Sequence, residues 1–410
     1  MILAWRVLVV AVAGIAVTAG VPWRPVATVP LGGRSARFDY QAIDSGAHRL
    51  YIAHQGDGSI VVIDLERRRV VDTIRGLPDV HGVLVVPRLH RLYATATASH
   101  ELVVIDTRTD RVVARHRAGG VPDGIAYDPV DRMVYVSDER PAGALVVADA
   151  RSGRMVTMIP LAGSAGNVQY DPTRRRILVG VESRDELAII DPVARQISAR
   201  VPLAGCKANH SLLIDDAARL LIVGCSGNGR LLVLDADTLT PVGHVDGAGH
   251  IDVLALDPGT QQVYATAEDG VVTALQLRGN AQPRMIGRQR LVRAHTIAID
   301  PRTHLIYLPL GRASGRSVLR ILRPNQRRSP RSGTPRTRTG EHLADRGPEP
   351  RAPSPTASTG AAMPRRLQPR SRSSDDSVDS RRPSSSAGSR SSSDKTRLNP
   401  LGLTHADIGI

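Results

Sequence analysis

The segment Gly124-Ile125-Ala126-Tyr127-Asp128-Pro129-Val130-Asp131-Arg132-Met133-Val134-Tyr135-Val136-Ser137 decides the fold. An apolar run ends in Asp-Pro, a short polar turn follows, and an apolar strand begins around a tyrosine. Gly124 to Tyr127, Met133 to Ser137, Ala144 to Ala148 and Arg154 to Ile159 predict four strands separated by turn residues. The unit recurs along the chain. The Asp128 marker has counterparts at Asp44, Val86, Asp171, Asp215, Asp257 and Asp300, at intervals of 42 to 44 residues. The Tyr135 marker has counterparts at Tyr51, Tyr93, Leu178, Ile222, Tyr264 and Tyr307, with the same spacings. A four-stranded unit of this period is too long for a solenoid coil and too short for an independent domain, so it predicts a propeller blade.

The seventh unit supplies only three strands, from Thr296 to about Leu322, before the composition turns to Arg, Ser and Pro. Its missing strand has a counterpart at the other end of the chain. Pro25-Val26-Ala27-Thr28-Val29-Pro30-Leu31 matches the fourth-strand pattern of Arg154-Met155-Val156-Thr157-Met158-Ile159-Pro160-Leu161. The expected fold is all-β: a seven-bladed β-propeller over residues 24–323, its last blade closed by an N-terminal strand. Aromatic residues are only 3% of the 410, so the core falls to Val, Ile, Leu and Ala, which suit pleated strands.

Outside this span the sequence changes character. Arg6, the apolar run Val7 to Val17, and then Thr18, Ala19 and Gly20 have the layout of a secretory signal peptide over residues 1–20, cleaved after Ala19. The run is short of the roughly 20 residues that span a bilayer; an uncleaved anchor is the alternative. The expected location is periplasmic or extracellular. Residues 324–410 read as a disordered Arg/Ser/Pro-rich tail, or as an accidental extension after a frame shift. Residues 326–410 hold 16 basic and 8 acidic side chains, so about half of the +15 charge lies there and the rest of the chain is only mildly basic.

The strands Tyr51-Ile52-Ala53-His54, Tyr93-Ala94-Thr95-Ala96, Tyr135-Val136-Ser137-Asp138 and Tyr264-Ala265-Thr266-Ala267, each followed by a strand such as Leu102-Val103-Val104-Ile105-Asp106, resemble the YVTN-type, or YncE-like, β-propeller repeat family. The resemblance covers about residues 24 to 324. It implies the fold strongly and function weakly, since similar propellers serve as surface proteins, periplasmic binding proteins and parts of redox or lactone-hydrolysing enzymes.

Placing the repeats in register gathers scattered polar residues into one set. Five positions before the Asp-Pro marker stand Asp39, His81, Asp123, Gly166, His210, Asp252 and His295. The first strand of a blade is innermost, so these residues are expected around one mouth of the central channel. Ten positions after the marker stand His54, Ala96, Asp138, Val181, Cys225, Ala267 and Leu310, which is expected to bring His54 and Asp138 to the same rim. Histidine and carboxylate are the usual ligands of divalent metals. A metal draws its ligand atoms to about 2.0–2.2 Å, so three or four of His81, His210, His295, Asp123 and Asp252 are the candidate ligands. The same ring also suits a small polar or anionic ligand, or simply a polar lining that caps loop amides beside channel water.

Cys206 and Cys225 are expected on that face within one blade. In an exported protein a disulfide is the preferred reading, with paired metal ligands or two free thiols as alternatives; the family resemblance adds that cysteines are common at these places. His48, His90 and His304 fall in the turn at the opposite end, while His250 stands near the rim as a loop residue. Asn209-His210-Ser211 matches a glycosylation sequon by pattern only. Lys207 and Lys395 are the only lysines, which leaves little for lysine-based covalent chemistry. Gly-Lys-Ser/Thr, His-Glu-x-x-His and Gly-x-Ser-x-Gly are absent; Gly224-Cys225-Ser226-Gly227-Asn228 departs from the last at Asn228.

These observations assign no catalytic residue. They point to a monomeric binding or scaffold protein that takes a small ligand, a metal or a protein partner at the rim. The competing expectation is a metal-dependent, lactonase-like hydrolase with Asp123 or Asp252 as base on a bound water. A third is nucleic-acid or polyanion binding through the basic tail, although stacking aromatics are scarce.

Overall fold

The Asp at each marker ends a strand because its carboxylate captures the next backbone N–H groups and turns the chain. Asp44 accepts from Ala47 at 2.9 Å, Asp128 from Val130 at 2.8 Å and Asp300 from Arg302 at 3.1 Å. Asp171, Asp215 and Asp257 do the same. Where blade 2 has Val86 instead, a 3-10 turn over Pro87–Leu89 takes over. Four residues after each marker the backbone is left-handed, at His48, His90, Arg132, Arg175, Arg219, Gln261 and His304. His48, His90 and His304 are therefore turn residues, as their place in the repeat implies.

The computed structural model describes residues 23–34, 37–278, 281–313 and 315–325. The expected signal peptide at 1–20 and nearly all of the expected tail lie outside the described residues. The described chain forms seven four-stranded antiparallel sheets. Blade 3 consists of Pro122–Asp128, Met133–Asp138, Ala144–Asp149 and Met155–Pro160, within two residues of the sequence-derived strands. The other complete blades occupy residues 41–75, 80–117, 165–202, 209–246 and 251–290. Among the described residues no helix is long and apolar enough to cross a membrane.

Blade 7 joins the two ends of the propeller. Ala298–Asp300, Leu305–Ala313 and Arg316–Pro324 come from the C-terminal side, and Trp23–Pro30 adds the outer strand. Thr28 lies opposite Arg320, Val29 opposite Leu319 and Pro30 opposite Val318. The latch also grips both neighbouring blades. Trp23 packs on Tyr264 of blade 6 at 6.0 Å and donates its indole N–H to Gln289 at 2.9 Å. Val29, Leu31 and Phe38 share a buried cluster with Leu50 and Ile52 of blade 1.

Between blades the core is aliphatic, with buried tyrosines 51, 93, 135, 264 and 307 as its largest pieces. Tyr93 spans two blades by donating its hydroxyl to the carbonyl of Ala150. Cys206 and Cys225 form a disulfide across 19 residues, with Cα atoms 5.3 Å apart; closing a loop of this size stabilises by about 3 kcal/mol on chain-entropy grounds. Asn209 is fully buried and donates to the carbonyl of Glu186 at 2.9 Å, so the sequon is not available to a glycan.

Deleting residues 24–31 removes a whole strand and the buried Val29 and Leu31 side chains, each worth about 1.5–3 kcal/mol. The melting temperature is expected to fall by about 10 °C or more on the usual scale for domains, as read by circular dichroism. An unchanged melting temperature contradicts the latch.

Candidate functional site

The innermost strands of the blades begin at one mouth of the channel, and their first side chains meet there. His295 Nε2 lies 2.5 Å from Asp252 and 3.9 Å from Asp39; His81 Nδ1 lies 3.8 Å from Asp39 and 3.1 Å from Asp123; His210 Nε2 lies 3.1 Å from Asp252. Acid and imidazole thus alternate through Asp123, His81, Asp39, His295, Asp252 and His210. This chain links six of the eight rim residues singled out in the sequence.

His54 and Asp138 do not join it. His54 is buried, stacked on Phe38 at 4.2 Å, with Nε2 at 3.1 Å from the Arg34 carbonyl. Asp138 accepts the N–H groups of Gly120 at 3.0 Å and Val121 at 2.9 Å and pairs with Arg140. Both fasten loops between blades. The physical reason is that both are the last residues of their strands, and the chain turns at the next residue. One position further, eleven after the marker, stand Gln55, Glu139, Glu182, Ser226 and Glu268. The last four line the cavity, and the Gln55 amide bonds His81 Nε2 at 2.7 Å. The signal for these missed residues lay in the same repeat, shifted by one.

The cavity has a volume of about 240 Å³ and is also lined by Arg37, Tyr40 and His250. Tyr40 starts in blade 1, and its hydroxyl lies 3.4 Å from His210 Nε2 of blade 5, across the channel. Arg37 reaches Asp39 at 3.8 Å, Asp252 at 3.9 Å and Glu268 at 3.6 Å. His210 Nδ1 pairs with Glu182.

Crowding so many carboxylates in a closed space moves their protonation. Burial, reinforced by the charge of Asp252, pushes Asp39 up to about 6. Burial and the charge of Asp123 push Glu139 up to about 9. Burial works against a charged His81, but its hydrogen bond to Asp123 and the charge of Asp39 outweigh that and raise it to about 9. Burial likewise opposes ionised Asp252 and charged His210, yet their mutual hydrogen bond, with His295 and Glu182 respectively, holds Asp252 well below the carboxylate range and His210 well above the imidazole range. Burial, then the charge of Asp123, raises the Tyr40 phenol, which stays protonated.

No protein-family model matches the chain, and no curated protein matches it. Among solved structures, Kuenenia stuttgartiensis hydrazine synthase is similar at TM-score 0.60 and 14% identity, over 75% of this chain and 98% of that one. The RRP9 WD40 repeats are similar at TM-score 0.62 and 13% identity, over 73% and 100%. A chain of the mitotic checkpoint complex reaches TM-score 0.62 at 12% identity, over 80% and 99%. Likeness at these identities shows the propeller fold alone.

The raised groups fix the sign of the pH response. Asp39, Glu139, His81 and His210 all bind protons more tightly in the folded chain than in the unfolded one. Their contribution is full below the unfolded values of 3.8, 4.5 and 6.5 and is lost as pH rises through about 6 for Asp39 and about 9 for Glu139 and His81. With chelator present, the melting temperature is expected to fall between about pH 5 and 9. Glu139 faces Asp123, Glu182, His210 and His81, so Glu139→Gln is expected to flatten that fall. A wild-type slope in the variant counts against this picture of the mouth.

Proposed function

We propose that the chain is an exported binding or scaffold protein that takes a positively charged ligand at the Asp/His mouth of its propeller. One observation carries the reading: Asp39, Asp123, Glu139, Glu182, Asp252 and Glu268 line a single cavity in which, among the described residues, Arg37 is the one guanidinium. Charges withdrawn from water require compensation. Hydrogen-bonded imidazoles supply part of it, and the raised proton affinity of Asp39 and Glu139 marks what remains unmet. A bound cation would supply it. The same carboxylates disfavour phosphate, nucleic acid and other anions at this mouth.

Export is supported by the pattern of residues 1–20 and by the Cys206–Cys225 pair, since disulfides persist in oxidising compartments. Kinship with the YVTN-type repeats belongs to the same proposal and rests on the tyrosine-led strands. Among the described residues, Ser226 is the cavity's aliphatic hydroxyl and it is not hydrogen-bonded to an imidazole, so binding without turnover is the reading preferred over hydrolysis.

The test is thermal stabilisation of chelator-treated, dialysed protein by zinc chloride, manganese chloride, putrescine and citrate. Ligand at a hundred times its dissociation constant stabilises by about 2.7 kcal/mol, which is about 5 °C or more. At least one of the three cationic probes is expected to give such a shift and citrate none. A shift with citrate alone, or with none of the four, sinks the reading.

A further inference from the structure

Seven seats surround the mouth, and an alternation of acid and imidazole cannot close on an odd number. This propeller leaves one seat without a side chain. At blade 4 the ring position is Gly166, where a Cβ would lie 2.7 Å from the carbonyl oxygen of His210. The alternation therefore runs without interruption from Asp123 round to His210 and stops, with blade 4 between them. Glu139 from blade 3 and Glu182 from blade 4 border that gap.

The groups around the gap are arranged to receive something. One oxygen of Asp123, one of Glu139 and one nitrogen of His210 lie within 4.8 Å of one another. Asp123 is 2% exposed; its Oδ1 is bonded by His81, while Oδ2 is buried without a hydrogen-bond partner. Buried polar atoms in native proteins are satisfied as a rule, and an exception calls for a missing ion or water. Among the described residues, no Arg or Lys forms an ion pair with Asp123, Glu139 or Glu182; their ion-pair partners are His81 for Asp123 and His210 for Glu182.

A second cluster, Asp252, Glu268 and His295, is equally compact. Its buried Asp252 Oδ2 and His295 Nε2 also lack hydrogen-bond partners, but they face each other at 2.5 Å as an ion pair, and a neighbouring cation decides between the two clusters. The Arg37 guanidinium already stands 3.9 Å from Asp252 and 3.6 Å from Glu268, so that cluster has its cation.

We infer that the gap across blade 4 is a divalent-metal site with Asp123, Glu139 and His210 as ligands. This rests on the cation reading above and names the ion. One imidazole and two carboxylates suit Zn²⁺ or Mn²⁺; Ca²⁺ asks for six to eight oxygens. One His210 nitrogen passes from its carboxylate to the ion, and the other keeps its carboxylate and fixes the ring, as metal-bound histidines are usually held. His81, itself bonded by Gln55, orients Asp123 in the same way. Three protein ligands leave the ion open toward the cavity, where water or a small ligand completes it.

The experiment is calorimetric titration of chelator-treated full-length protein with zinc chloride and manganese chloride, alongside Asp123→Asn, Glu139→Gln and Glu268→Gln. His342 and His405 are present in every variant, so only differences from wild type count. Both carboxamide changes near the gap are isosteric, and circular dichroism melts in chelator check that they fold. Wild type is expected to take one ion per chain; Asp123→Asn and Glu139→Gln should each weaken it by about tenfold or more, and by more than Glu268→Gln, which probes the second cluster. Loss of the ion in Glu268→Gln but not in Glu139→Gln overturns the assignment. Binding of putrescine without zinc or manganese overturns the metal and leaves the cation reading standing; failure of all three removes both.

Discussion

The pairing of Trp23–Pro30 with Arg316–Pro324 is the interaction on which the remaining structure depends. Each blade hydrogen-bonds internally, and its neighbours are held to it mainly by packed aliphatic side chains. A ring of such units has no covalent closure, so without a strand from the other end blade 7 would be a three-stranded sheet and the ring would be closed by side-chain packing alone. Pairing Trp23–Pro30 onto blade 7 joins the two ends by backbone hydrogen bonds. It also ties blades 6 and 1 together through Trp23, Val29 and Leu31. The distances across the mouth follow from this closure. Tyr40 of blade 1 can reach His210 of blade 5 only while the circumference is fixed.

That fixed circumference turns a repeat into a site. Six of the seven ring positions carry Asp or His, and the seventh is Gly166. Imidazoles standing between carboxylates satisfy both, which explains how so many ionisable groups remain buried. Around the ring, buried polar atoms without a hydrogen-bond partner remain at two places. Asp252 Oδ2 and His295 Nε2 stand 2.5 Å apart with Arg37 beside Asp252, whereas Asp123 Oδ2, beside blade 4, has among the described residues no Arg or Lys paired with its carboxylate. Function is assigned to the place where the local electrostatics do not balance.

Most of the fold was legible in the sequence because its determinants are local and repeated. Asp128 and its counterparts cap turns, Tyr135 and its counterparts fill the space between blades, and both do so at a fixed interval. The latch could be read from residues 25–31 because a fourth strand was missing elsewhere. The site was legible in part. The ring residues 39, 81, 123, 210, 252 and 295 sit at strand starts, where direction is set by the repeat itself. His54 and Asp138 were misplaced because they end their strands, and it is the next residue, in the turn, that reaches the mouth. Glu139, Glu182 and Glu268 were missed for the same reason. Arg37 and Tyr40 belong to blade 1 alone, so no periodicity marks them, and their reach across the channel depends on the closed ring.

Anomalous scattering from crystals of the full chain soaked in manganese chloride tests the central claim most directly, because it locates the ion without reference to stability or affinity. The account predicts one strong peak at the mouth, bounded by Asp123, Glu139 and His210. No peak there, or a peak bounded by Asp252, Glu268 and His295 instead, contradicts it.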